Sequence, residues 1–285
     1  MLRIGCVKYL NARPLIHGWS GAVDFDHPAA LCRKLERGDI DVALVSSLEY
    51  LRRPIYRIID GVSISARGAV YSVIVAHNED LSRAEEIEID PASETSVALL
   101  RCLLRQRGLN PRLRVRNTDL ESVRPAELYS AESEAASGSV EVQTADSMSA
   151  GCTGQRPVFR LLIGDQAIRF RAEHRERYHY WDLAETWTKI TSLPFAFAFW
   201  LIRPEINNAN EIADILRQLR DHNLENLDDL VSTQSEVSPA FCRKYYREHL
   251  FFDFGEREKA GLREFHYHCL LNKVDVAPDL QLNLV

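Results

Sequence analysis

The sequence predicts an α/β protein folded as two lobes with a cleft between them, and three observations predict it. Short apolar strands alternate with helical segments along the first half of the chain, as in β-α-β-α units. Two strongly apolar runs, residues 70–76 and 193–202, flank a stretch that carries strands and helices of its own. The length of 285 residues exceeds the commonest single-domain size and suits two domains of about 140. The expected division gives residues 1–75 and 198–285 to a first, discontinuous lobe and residues 76–197 to an inserted second lobe, with crossings near 73–76 and 196–200.

Each element has a local reason. Leu2, Ile4 and Cys6 alternate as a strand, and residues 11–14 break that period with turn chemistry, so Tyr9 and Asn11 sit where a strand ends. In open α/β sheets the crevice beyond the carboxyl ends of strands is where ligands bind, although Asn and Pro are also simply good turn formers. Residues 28–37 start with Pro in a first-turn position and are followed by Gly38, which makes a short helix. The apolar run 41–45 reads as a strand leading through Ser46 and Ser47 into a helical turn over 48–52, and this β-α-β-α order predicts a parallel sheet.

Further strands are expected over 56–59, 70–76 and 87–89, then a polar turn over 90–96 that opens a helix over 97–104 closed by Gly108. Residues 119–155 lose all apolar periodicity and read as an irregular, poorly packed connection. Order returns with a strand over 159–164, followed by Asp165. A helix over 182–190 opens with Asp182 as its cap, and 193–202, with Pro194, reads as a central strand. Helices over 210–220, 239–250 and 256–271 are expected to cover the first lobe.

Composition narrows the function. With 35 basic and 41 acidic residues the net charge is −6, and no basic stripe interleaves with aromatics, so nucleic acid is not an expected partner. A small anion remains bindable, because local donors decide that and net charge does not. The six cysteines are scattered, with neither a CxxC pair nor zinc-ligand spacing, which implies a reduced, cytoplasmic protein. No run of 18 apolar residues and no basic, apolar leader is evident, so neither a membrane nor export is expected. His17, His27, His266 and His268 show no metal spacing, and neither a metal nor an organic cofactor is expected.

Six segments carry a resemblance: VKYLNARPL from residue 7, GDIDVALVSSLEY from 38, RGAVYSV from 67, ASETSVALL from 92, LLIGDQA from 161 and DLAETWTKITSLPFAFAFW from 182. In this order they resemble the menaquinone-biosynthesis family of the futalosine route. The opening after the first strand is more like the branch that dehydrates chorismate than the branch that makes 1,4-dihydroxy-6-naphthoate. The resemblance implies a fold like type 2 periplasmic binding proteins, here in the cytoplasm. It also implies a small dicarboxylate substrate, chorismate, which loses water to give 3-[(1-carboxyvinyl)oxy]benzoate. Against the family's pattern, Glu94 stands where Arg is usual, Ser46 where Pro is usual and Ser192 where Gly is usual, and 119–155 is about twice the expected length.

With such a substrate the residues take roles. Thr95 and Ser96, at a helix start with unpaired N–H groups, are the expected carboxylate anchors, with N-capping by Ser93 or Thr95 as the alternative. Glu94 should then point away from the anion. Ser47 is expected to hold the second carboxylate, with helix capping as the alternative, and Tyr9 to contact substrate. Ser72, a hydroxyl in an apolar strand, needs a partner or a cleft. Asn11 can donate from its amide but cannot act as a base at neutral pH, so it positions or polarises. Asn11 and Ser72 are the expected catalytic residues. Asp165 is expected to bind a substrate hydroxyl, with helix capping as the alternative, and Arg13 and Arg67 are candidate countercharges, although Arg on a loop is usually solvated. With no His in these motifs, the ring proton is expected to leave to the substrate's own enolpyruvyl carboxylate, held close by the cleft.

Overall fold

The computed structural model describes residues 2–90, 93–116, 158–233 and 237–285. In chain order the first sheet begins with β1 (Ile4–Cys6), β2 (Val23–Phe25), α1 (Pro28–Arg37), β3 (Val42–Ser46), α2 (Ser47–Arg52), β4 (Arg57–Ile58) and β5 (Ile64–Ala66). The second part comprises β6 (Val73–His77), β7 (Glu86–Ile89), α3 (Glu94–Gln106), β8 (Arg112–Val115), β9 (Phe159–Ile163), α4 (Gly164–Glu173), β10 (His179–Asp182) and α5 (Leu183–Thr191). The chain then returns through β11 (Phe195–Ile202) and closes with α6 (Ala209–Glu225), α7 (Leu227–Ser232), α8 (Pro239–Lys244) and α9 (Glu256–Leu271). The irregular connection expected over 119–155 lies outside the described residues.

Two sheets result, one ordered β2-β1-β3-β11-β4 with β5 also on β11, the other ordered β10-β6-β9-β7-β8. The expectation of a parallel sheet holds for β2-β1-β3 and for β9-β7-β8 and fails elsewhere. β11 runs antiparallel to β3, β4 and β5, and β6 runs antiparallel to β9 and β10. The cause is the return of the chain: β11 enters the first sheet from the second lobe, end-on to the strands that left it.

The two apolar strands expected to bridge the lobes do not bridge them. β6 pairs wholly within the second sheet and β11 wholly within the first, so the chain passes between sheets over residues 67–72 and 192–194. Both passages are held by specific contacts. The Asp182 carboxylate, which caps α5 through the Glu185 N–H (3.0 Å), also accepts from the N–H groups of Val70 (3.2 Å) and Tyr71 (2.8 Å). Tyr71 sits at φ +69°, so this passage is bent against the usual backbone preference of a bulky residue.

Ser192 ends α5 in the left-handed region at φ +60°, a position where Gly fits without cost. Two residues on, a Cβ on Gly261 of α9 would lie 2.1 Å from the Pro194 carbonyl oxygen, so only Gly lets α9 pass this close. Around this second passage Trp187, Phe195 and Phe265 meet edge to face, with ring centroids 4.8–6.0 Å apart. The C-terminal helices are thus tied to the junction of the lobes as well as to the first sheet.

Candidate functional site

A cavity with about 710 Å³ of open space, counted out into the solvent at its mouth, lies between the two sheets. Both lobes line it. The exit of β1 supplies Tyr9 and Asn11, the exit of β3 supplies Ser46, and the first passage supplies Ser72. The start of α3 supplies Ser93, Glu94, Thr95 and Ser96, and the β9–α4 junction supplies Ile163 and Gly164. Leu44, Ile64, Val70, Val73 and Phe197 make the remaining wall largely apolar.

The β1 exit is a short 3-10 helix, Leu10–Leu15, with extended Tyr9 before it. Its first peptide is fixed from two sides: the Leu10 N–H donates to the Asp165 carboxylate (3.0 and 3.2 Å), and the Leu10 carbonyl accepts from the Tyr246 hydroxyl (2.9 Å). Asn11 therefore leaves a rigid turn. Its side-chain oxygen is enclosed and has no hydrogen-bond partner within the protein. The Tyr9 ring lies against Gly164, where an added Cβ would meet it at 3.6 Å. Burial first, then the nearby Asp90 and Asp165 carboxylates, push the Tyr9 phenol up to about 12, so it is a donor at neutral pH.

Across the cleft, α3 starts without a side-chain cap on Ser93, which leaves first-turn N–H groups for the cavity. The Thr95 hydroxyl accepts from the Leu48 N–H of α2 (3.0 Å), a cap supplied from the other lobe. Glu94 is among the residues that line the cavity, and its carboxylate is ion-paired to Arg52 at the end of α2, which is not. The negative charge that would repel an anion is thus matched by a cation fixed in the opposite lobe. Ser72 is 1% exposed, and its Oγ accepts from the Tyr245 hydroxyl at 2.6 Å.

Five of the expected site residues, Tyr9, Asn11, Ser72, Thr95 and Ser96, thus share one cavity. Two are placed otherwise. Ser47 is fully buried with its Oγ unpartnered, and Ser46 lines the cavity instead. Neighbours at a strand end point to opposite faces, and the pair differs by that one step. Asp165 spends its carboxylate on the Leu10 N–H, so it ties α4 to the opposite lobe. Arg67 binds Glu258 (3.0 Å) and Arg13 donates to Thr233 (2.5 Å), and neither is among the residues that line the cavity. Tyr245 was missed, because a helical run of aromatics carries no sign of which one reaches a residue 173 positions away.

Among the described residues no group of three or more His, Cys, Asp and Glu could hold a metal ion, and no helix is long and apolar enough to cross a membrane. Five described cysteines are free and buried.

A family model described as menaquinone biosynthesis matches residues 2–131 and 126–269. The chain is 30% identical to the chorismate dehydratase of Thermus thermophilus over 92% of its own length and 93% of that protein. Among solved structures, a protein from Archaeoglobus fulgidus superposes with a TM-score of 0.66 at 14% identity, covering 96% of this chain and 98% of that one. The periplasmic aliphatic sulphonate binding protein of Escherichia coli superposes with a TM-score of 0.58 at 12% identity, covering 99% and 94%. These two likenesses show the two-lobed periplasmic-binding-protein fold.

Proposed function

The chain belongs to the menaquinone-biosynthesis family, and on that premise we propose that it is a carbon–oxygen lyase that removes water from chorismate to give 3-[(1-carboxyvinyl)oxy]benzoate. The observation that carries this reading is the make-up of the cavity. Its walls are apolar, its polar groups are hydroxyls, one amide, the first-turn N–H groups of α3 and Glu94, whose carboxylate is neutralised by Arg52, and no His, Lys or Arg lines it among the described residues. Chorismate presents a flat, nearly aromatic ring, two carboxylates and a hydroxyl, which such a lining suits.

One carboxylate is held at the start of α3, where unpaired N–H groups, the helix dipole and the hydroxyls of Thr95 and Ser96 converge. The second lies against the β3 exit at Ser46, with the protonated Tyr9 phenol as a further donor. The ring proton beside the enol ether is made acidic by conjugation to the ring carboxylate. The substrate's enolpyruvyl carboxylate, held within reach by the closed cleft, takes it. The neighbouring hydroxide then departs as the ring becomes aromatic. Asn11 and Ser72 donate hydrogen bonds to the charge that develops on the ring or on the leaving oxygen. Substrate and products have the same oxidation level, so the step asks nothing of a redox group.

A cytoplasmic location goes with this reading and agrees with the free cysteines. Purified protein incubated with chorismate should give a new aromatic absorbance and a product lighter by one water. Binding without turnover would instead support a non-catalytic anion-binding protein. Inertness toward chorismate would favour the naphthoate-forming branch of the family.

A further inference from the structure

The C-terminal segment carries a feature that the roles above leave unused. After α8 the helix widens into a π turn over Tyr245–His249, a local irregularity that is often found at functional sites. Its first two residues send their hydroxyls to the two walls of the cavity. Tyr245 reaches Ser72 at 2.6 Å, and Tyr246 reaches the Leu10 carbonyl, one residue before Asn11, at 2.9 Å. Both rings are buried, and the Tyr245 ring is stacked on Phe241 with centroids 5.7 Å apart, so its oxygen is fixed in place.

We propose that Tyr245 is a positioning residue that sets the polarity of the Ser72 hydroxyl, so that Ser72 presents its proton to the substrate. The inference rests on the dehydratase reading and deepens it.

The argument is one of proton count. A phenol is a far better donor than an alcohol, and burial drives the Tyr245 phenol well above its ordinary range, so it keeps its proton at any working pH. That proton is given to Ser72 Oγ. The serine oxygen is thereby used as an acceptor, and its single proton is left for the cavity that Ser72 lines. Successive bonds of this kind polarise one another, so a serine that accepts from Tyr245 is also the stronger donor. Without the phenol oxygen the Ser72 hydroxyl rotates freely and accepts as readily as it donates, which wastes it in the transition state.

Tyr245→Phe removes one oxygen and keeps the ring packing. Turnover of chorismate by this variant should fall about tenfold in kcat with KM within about twofold, a fraction of the 10²- to 10³-fold that a whole oxyanion-type donor supplies. In a Ser72→Ala background the same change should cost less than about twofold, because the phenol acts only through Ser72. The double variant also removes both partners of the buried bond, so it strands no polar group and serves as the check on folding. An unchanged kcat in Tyr245→Phe would overturn the inference, as would the same loss in both backgrounds or a loss confined to KM. Wild-type protein that binds but does not convert chorismate would overturn the dehydratase reading first, and this role with it.

Discussion

Replacing Asn11 by Ala separates a catalytic donor from a structural one. Asn11 is the second residue of the Leu10–Leu15 turn, and that turn is held by the Leu10 peptide, Asp165 and Tyr246 rather than by the Asn11 amide. Its side-chain oxygen has no partner within the protein, so truncation breaks no bond at that atom. The stability cost is then limited to a few contacts of a half-buried side chain, under about 1 kcal/mol, which for a chain of this length moves Tm by about 2–4 °C at most. The rate should behave differently. Loss of one donor to developing charge costs on the order of 10²-fold in kcat, about 2.7 kcal/mol of transition-state stabilisation. The assays are steady-state turnover of chorismate and scanning calorimetry on the same preparation. A variant with unaltered kcat would refute the donor role. A fall in Tm of ten degrees or so, with activity lost in proportion to folded protein, would show the residue to be structural instead.

Asp182→Ala leaves the N–H groups of Val70, Tyr71 and Glu185 without their acceptor, and should cost roughly 2–4 kcal/mol in urea unfolding; a loss below about 1 kcal/mol would mean that the first passage is held by something else. Asp41 gives a pH dependence. The hydrogen bonds of Arg3 hold its carboxyl below the ordinary range, so below about pH 4 the native state binds fewer protons than the unfolded chain. That contribution is complete above this window and is lost as the pH falls through it. Asp41→Asn should flatten the acid limb of stability against pH, and an identical limb in the variant would count against it.

What was legible in the sequence is what one segment determines by itself. Pro28 and Gly38 bound α1, with Gly38 in the left-handed region at φ +81°, and Asp182 caps α5 through the Glu185 N–H. The strand exits at Tyr9, Asn11 and Ser46 could be found because turn chemistry interrupts an apolar period at those points. The rest depends on distant partners. Thr95 looks like a cap for its own helix, yet its hydroxyl serves the Leu48 N–H 47 residues away. Asp165 looks like a ligand contact, yet it meets a backbone N–H 155 residues away. The partner of Glu94 cannot be read from its own segment, because Arg52, its counter-charge, lies on another element. Short strands such as β5 and β10 carry too few residues to show a period, and the direction of β11 follows from the path of the whole chain. Periodicity reports that a side chain is buried; it does not say against what.

The dependence of chorismate turnover on pH tests most directly the central claim, that the cavity supplies hydrogen-bond donors while the substrate supplies the base. A substrate carboxylate as base predicts a kcat that stays flat from neutrality down to about pH 5, because such a group titrates near 4. No His lines the cavity among the described residues, so no limb near 6.5 is expected. An acid limb centred near pH 6.5 and abolished by replacing a single His would contradict the claim and move the proton transfer to that side chain.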